Sequence, residues 1–246
     1  LPIKAEKGYL IPAVGDVYES CAEHLRNSIL AWHPEANVTV LTESMLPFGK
    51  QDGFANDWQV FAASPYRQTI KLEADMLITS PIDHWWTMFE HRDVVVSTGC
   101  RDYYDRPATS RFYRKVFDLN NLPDVYNAIT YWRLSATAKE FFNLVRDIFE
   151  HWDQYKQLIK FADEIPSTDL VYAMAAQIMG PQLVTLPPGH APQIVHMKRH
   201  IIGGHSDKWT SELTWEHLNP GLRINTVTQH GAVHYHIKDW LNERNH

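Results

Sequence analysis

The sequence is poor in several features that would fix a function class directly. It has two cysteines, Cys21 and Cys100, and no Cys-x-x-Cys pair. Neither a disulfide scaffold nor a thiolate zinc knuckle can be built from these, and a reducing compartment fits. No run approaches the roughly 18 apolar residues that a membrane-spanning helix needs. The opening stretch Leu1-Pro2-Ile3-Lys4-Ala5-Glu6-Lys7 is too polar to be the apolar centre of a signal peptide. The expectation is a soluble, cytoplasmic chain without a membrane partner. Basic residues are in the minority: 23 Lys plus Arg against 29 Asp plus Glu give a formal charge of −6. This argues against holding nucleic acid by bulk charge alone, while leaving room for a local basic patch. Internal repeats, Gly/Ser linkers and low-complexity tracts are missing, so one domain over residues 1–246 is the simpler reading. Gly-x-Gly-x-x-Gly and Gly-x-x-x-x-Gly-Lys-[Ser/Thr] loops are missing too, which excludes the common Rossmann and P-loop phosphate cradles.

What is present is ordinary globular material, 44% hydrophobic and 21% charged, enough to bury a large core. Tyr9–Ala13 reads as a buried strand ending in a turn at Gly15-Asp16. Tyr18, Cys21, Leu25, Ile29 and Trp32 then recur at three- and four-residue steps, the spacing of one helix face, up to Pro34. Asn37–Leu41 reads as a second strand, so the first 41 residues have the length of a βαβ unit with parallel strands. Thr69–Glu73 and Asp93–Ser97 are further strand candidates. Residues 137–152 carry a helical stripe of Phe141, Val145, Ile148 and Trp152. Short β-prone runs follow at Leu183–Leu186, Gln193–His196 and Ala232–His236. Together these predict an α/β fold with a mixed, mainly parallel central sheet flanked by helices, and ligands outside the carboxyl ends of the parallel strands.

If phosphate is bound without a glycine loop, a divalent cation held by carboxylates is the natural substitute. Glu73-Ala74-Asp75 has that form: alternate residues of an extended segment point the same way, so both acids can face one site. Acid-x-acid triplets are more often solvated edge turns, and the triplet alone is weak. His234 and His236 would share a face of a strand, and neutral imidazole is a good ligand for a first-row metal such as Mn2+. In a chain with 14 histidines, a hydrogen-bonded or surface pair is the bland alternative. Two histidines make a poor closed zinc site; joined to the distant acids, one of them completes an open one.

The stretch Tyr66-Arg67-Gln68-Thr69-Ile70-Lys71-Leu72-Glu73-Ala74-Asp75-Met76-Leu77 resembles the strand leading into the Asp-x-Asp motif of GT-A nucleotide-sugar glycosyltransferases, the family-8-like group that includes glycogenin. Tyr9 to Tyr18 is similar to that group's first strand and nucleotide loop, and Asn127–Arg133 to its strand after the metal motif. Ser167–Ala173 is similar to its later Asp-containing helix start. His234-Tyr235 with Lys238 and Trp240 resembles its closing signature. The five landmarks occur in the family's order. Glu73 stands where the family commonly has Asp, Ala128 where it has Ser, and the closing signature is shortened and lacks its Gly and Pro.

The resemblance implies a GT-A-type single domain, with a nucleotide-binding half over about 1–100 and an acceptor and metal-completing half over about 101–246. It implies metal-dependent transfer of a hexosyl or pentosyl group from a nucleotide-diphosphate sugar, UDP-sugar in the first instance, with retention. Mn2+ or Mg2+ would be held by Glu73, Asp75 and His234, with His236 as the alternative imidazole; the place before the aromatic residue favours His234. Lys238 would contact the diphosphate, and Arg67 the diphosphate or donor sugar. Tyr9, Ala13 and Tyr18 are candidates to hold base and ribose. Asp169, with Asn127 and Arg67, is placed at the reacting centre, although Asp169 also suits a first helical turn, where the macrodipole favours a carboxylate.

For the acceptor, Arg101, Tyr104, Arg111, Tyr113 and Arg114 interleave basic and aromatic side chains suited to stacking and phosphate contact; a solvated face is the plain alternative. Lys198-Arg199-His200 is a second basic group. Ser64–Asp75 and Asn121–Tyr126 are also similar to GT-A proteins of tailed bacteriophages with modified DNA. This implies a hydroxymethylated pyrimidine in phage DNA as acceptor, in the host cytoplasm, with the base turned out of its stack. Transfer to a glycan, lipid or protein is one rival; a nucleotide-sugar hydrolase or non-catalytic donor-binding module is the other.

Overall fold

The computed structural model describes residues 2–51, 53–108, 114–161, 163–187, 189–204 and 208–241. Twelve strands occur in these segments: β1 (Ala5–Ala13), β2 (Val38–Thr42), β3 (Tyr66–Leu72), β4 (Met76–Ile78), β5 (Val94–Thr98), β6 (Cys100–Arg101), β7 (Val125–Arg133), β8 (Ile194–His196), β9 (Trp215–Leu218), β10 (Gly221–Ile224), β11 (Val227–Thr228) and β12 (Ala232–His234). The central sheet has the order β2-β1-β3-β7-β5. β1 pairs in parallel with β2 and β3, and β7 runs antiparallel to both β3 and β5. The sheet is thus mixed, with two parallel and two antiparallel pairings and β7 alone running against the other four strands, and the α/β class expected from the pattern is what the chain adopts.

Alternation along the strands divides the core between two faces. Tyr9, Ile11 and Ala13 of β1 join Cys21, Ala22, Leu25 and Ile29 of the helix Asp16–Trp32 in one apolar cluster. Leu10 points the other way, into a cluster with Phe141, Phe142, Val145 and Ile148 of the helix Ala136–Glu150 and with Leu170–Ala176 of the helix Thr168–Met179. Both latter helices start on a serine cap: Ser135 Oγ accepts from the Ala138 N–H and Ser167 Oγ from that of Leu170.

A second sheet, ordered β4-β12-β8-β6, packs on the first cluster's side. β12 is antiparallel to β4 and parallel to β8, with His234 opposite Met76 on one side and His196 on the other. A small antiparallel sheet, β11-β10-β9, completes the strands.

Three local expectations are corrected. Leu183–Leu186 is not a strand: Pro181–Val184 forms a helical turn, with Pro181 in its first turn, where its missing N–H costs nothing. β3 stops at Leu72, so Glu73 lies beyond it and Ala74-Asp75 form a turn rather than extended chain. β12 stops at His234, and His236 has φ 62°, so the two histidines do not share a strand face by alternation.

Candidate active site

From β1 the chain passes to β2 on one side and to β3 on the other, which leaves a crevice at the carboxyl ends of these strands, where open α/β sheets bind ligands. A cleft of about 570 Å³ opens there, lined by Pro12 near the end of β1 and Val14 just after it, Leu41 of β2, Glu73–Asp75 after β3 and Tyr126–Ala128 at the start of antiparallel β7. That volume is in the range of small-molecule sites.

At one corner the early acids meet the late imidazole. His234 Nε2 lies 3.1 Å from Asp75 Oδ1 and 3.4 Å from Glu73 Oε2. The register that places His234 opposite Met76, fixed further by the Tyr235 N–H donating to the Asp75 carbonyl at 3.1 Å, explains the convergence. Lys238 Nζ pairs with the other oxygen of Asp75. Asp75 is 4% exposed. Burial alone would raise its pKa, but His234 and Lys238 outweigh it and hold the carboxyl well below the usual range. Burial raises Glu73, and its neighbours only partly offset this. For His234 burial acts downward, yet the carboxylates of Asp75 and Glu73 prevail and raise its pKa. One oxygen from each acid and one nitrogen of His234 lie within 4.8 Å of one another.

A second corner is built around Asp169 in the first turn of its helix. Its Oδ2 accepts from Arg114 Nη1 at 2.8 Å and its Oδ1 from the Asn127 N–H at 2.9 Å. Asn127 Nδ2 donates to Asp57 Oδ2 at 3.2 Å, and Asn127 Oδ1 has no hydrogen-bond partner among the described residues. Asp57 also pairs with Lys71 Nζ at 3.0 Å and accepts from the Tyr172 hydroxyl.

The structure therefore brings Tyr18, Glu73, Asp75, Asn127, Asp169, His234, His236 and Lys238 to one cleft. Tyr18 stands at its rim, 40% exposed, with Lys238 Nζ 5.1 Å from its ring centre. Ala13 is buried between Pro12 and Val14, which line the cleft, and does not line it itself. Tyr9 points elsewhere: its hydroxyl accepts from Trp86 Nε1 at 3.2 Å beside a separate depression. Arg67 sits near the opposite end of β3, its side chain 61% exposed and 3.7 Å from Glu6, six residues or about 20 Å of extended chain from Glu73.

Of the expected acceptor residues, Arg111 and Tyr113 lie outside the described residues. Arg114, expected on a solvent-facing loop, is buried instead: it bridges Asp124 and Asp169 and donates to the Val125 carbonyl, so it braces the site from behind. Arg101 is tied to Asp105 and to the His230 carbonyl. Tyr104 is exposed, with the Arg106 guanidinium 4.7 Å over its ring.

Sequence reasoning passed over Asp57, Lys71 and His196, which line the cleft; Lys198, singled out only as part of a second basic group, lines it as well. A lysine inside the apolar run Thr69–Leu72 was a visible anomaly. So was the match between Ile194-Val195-His196 and Ala232-Val233-His234, which pair as parallel neighbours. No described helix is long and apolar enough to cross a membrane.

No protein-family model matches the chain, and no curated protein matches it. Among solved structures the chain is similar to the galactosyltransferase LgtC in complex with donor and acceptor sugar analogues, at 13% identity and a TM-score of 0.42 over 68% of this chain and 70% of that one. It is similar to mouse xyloside xylosyltransferase 1, at 10% identity and a TM-score of 0.43 over 75% and 85% of the two chains. It is also similar to a glycosyltransferase involved in glycosylation of the major capsid of PBCV-1, at 9% identity and a TM-score of 0.48 over 94% and 93%.

Proposed function

We propose that residues 1–246 form one GT-A-type unit whose cleft takes a nucleotide-diphosphate sugar, UDP-sugar in the first instance, and transfers its hexosyl or pentosyl group with retention to an acceptor hydroxyl. The observation that carries the reading is the meeting of Glu73 and Asp75 with His234 and Lys238 at the carboxyl ends of β1 and β3. The cleft lining has four carboxylates, Asp57, Glu73, Asp75 and Asp169, against three lysines, Lys71, Lys198 and Lys238, a formal charge of −1 with neutral histidines. A diphosphate enters such a site against like charge unless a cation accompanies it. Two carboxylates and an imidazole fit Mn2+ or Mg2+, and the nitrogen donor tilts the preference to Mn2+. Glu73, Asp75 and His234 would hold such an ion, which would supply positive charge to offset the negative charge developing on the departing diphosphate.

The chain's own groups supply the rest. Lys238, beside Asp75, is placed to contact a diphosphate oxygen, and Tyr18 offers a ring face at the rim. Arg114 and the Asn127 N–H hold both oxygens of Asp169 in one orientation, so this carboxylate can meet the donor sugar without reorganising. Asp57 fixes the Asn127 amide in the same way. We expect Asp75→Asn to lower Mn2+-dependent turnover of a UDP-sugar by about 10²-fold or more while leaving the circular dichroism spectrum intact. Full retained turnover would remove Asp75 from the site.

For the acceptor we propose a hydroxymethylated pyrimidine in phage DNA, on the resemblance to phage proteins, with the exposed Tyr104 and Arg106 as a stacking pair beside β6. A labelled-donor panel offering modified DNA, glycans, lipids and proteins decides this. Turnover unchanged by every acceptor would identify a hydrolase.

A further inference from the structure

We propose that His196, His234 and His236 form a transition-metal site of their own, with an all-imidazole donor set suited to Zn2+ and its neighbours rather than to Mg2+. The proposal does not depend on the transferase reading. β8 and β12 run in parallel with His196 and His234 directly paired, and the positive φ of His236 turns the chain back so that its ring lies over both. Ring centres are 3.8 Å apart for His234 and His236, 4.4 Å for His196 and His236, and 5.3 Å for His196 and His234. One nitrogen of each ring lies within 4.8 Å of one nitrogen of both others.

Two features make this more than a stack of rings. His234 Nδ1 is buried and has no hydrogen-bond partner among the described residues, which leaves a costly polar atom that a ligand would satisfy. The separation of His236 Nε2 from His196 Nδ1 is 3.1 Å. Tetrahedral zinc with Zn–N bonds near 2.1 Å sets its nitrogens about 3.4 Å apart, so that pair is already near ligating distance, and a nitrogen of the third ring lies within 4.8 Å of both. Three imidazoles with no carboxylate select Zn2+, Co2+, Ni2+ or Cu2+ over hard oxygen-seeking ions.

A neutral imidazole has a single ring lone pair. An ion held through His234 Nδ1 therefore leaves Nε2 as an N–H facing Asp75, unable to ligate an ion held by Glu73 and Asp75, and the two sites cannot both be fully liganded.

The test is calorimetric titration of Zn2+ into the chelator-treated full chain, repeated with Co2+ to read the ligand-field spectrum. We expect one tight Zn2+ per chain, not displaced by excess Mg2+. His196→Asn and His236→Gln should each weaken it by about tenfold or more, whereas Glu73→Gln should change it by less than about threefold. Circular dichroism qualifies each variant, and His236→Gln, at a loop position, carries the test should His196→Asn not fold. Unchanged Zn2+ affinity in the histidine variants overturns the proposal, as does a loss in Glu73→Gln equal to that in His196→Asn.

Discussion

Lys71 shows how a single residue can be placed correctly by pattern and still be misread. It sits in β3, is 1% exposed, and is tolerated there because Asp57 Oδ1 lies 3.0 Å away and the Asn127 carbonyl accepts at 3.2 Å. Removing one partner of such a pair costs more than the pair is worth, since it leaves a buried charge alone. The histidines give a residue-scale prediction whose sign can be worked out. His196 and His236 are depressed below the ordinary value of 6.5, by burial first and by neighbouring cationic groups second. As pH falls past 6.5 the unfolded chain takes up protons that the folded chain refuses. Their stability is therefore present above about pH 6.5 and is lost on acidification, by up to ~1.4 kcal/mol per pH unit for each ring. His234 runs oppositely: its raised folded pKa contributes stability below the unfolded value and loses it as pH rises through the folded one. In metal-free protein, Tm should fall between about pH 6.5 and pH 5, and His236→Gln should flatten that fall. Equal slopes in the two proteins would contradict the assignment.

At the scale of elements, the parts with strong periodicity were legible and those without it were not. The helix Asp16–Trp32 and the helix Ala136–Glu150 follow their apolar stripes, and β1, β2, β3 and β5 fall where β-prone runs predict them. Tyr18 is the informative exception, since it begins the stripe yet ends at the cleft rim. The turn at residues 73–75 was legible only as the bland alternative for an acid-x-acid triplet, because apolar residues flank it on both sides; it falls between the end of β3 and the pairing of β4 with β12. β1 carries a tighter constraint at Gly8. A Cβ there would meet the Tyr66 ring at 2.4 Å. That ring is buried and anchored through its hydroxyl to Thr39 Oγ1 at 2.6 Å, so it cannot swing aside cheaply. Gly8→Ala should therefore destabilise the protein by about 1–3 kcal/mol, read as a lower urea midpoint at constant m-value. A neutral or stabilising effect would mean that the ring has room to move.

Across the whole molecule, what no local pattern could supply is the return of the C-terminal segment to the middle of the second sheet. β12 lies between β4, which directly follows the acidic turn, and β8, so residues more than 150 positions apart share one hydrogen-bonded ladder. The five landmarks implied that His234 would complete a site begun at Glu73, and the ladder is the physical means by which His234 comes to lie beside Glu73 and Asp75. Asp57 and His196 escaped because each acts through a partner distant in sequence: Asp57 through Lys71, Tyr172 and Asn127, and His196 through the register with His234. A ligand gripping both parts of the ladder stabilises them together, by about 2.7 kcal/mol at a concentration a hundredfold above its Kd. Hydrogen exchange with UDP and Mn2+ should accordingly slow at the amides of residues 73–78 and of β12 by similar factors. With Asp75→Asn both effects should vanish, because Asp75 is the link between the turn and His234. Protection confined to residues 73–78, with β12 exchanging as in the free protein, would mean that the late histidine takes no part in holding the nucleotide.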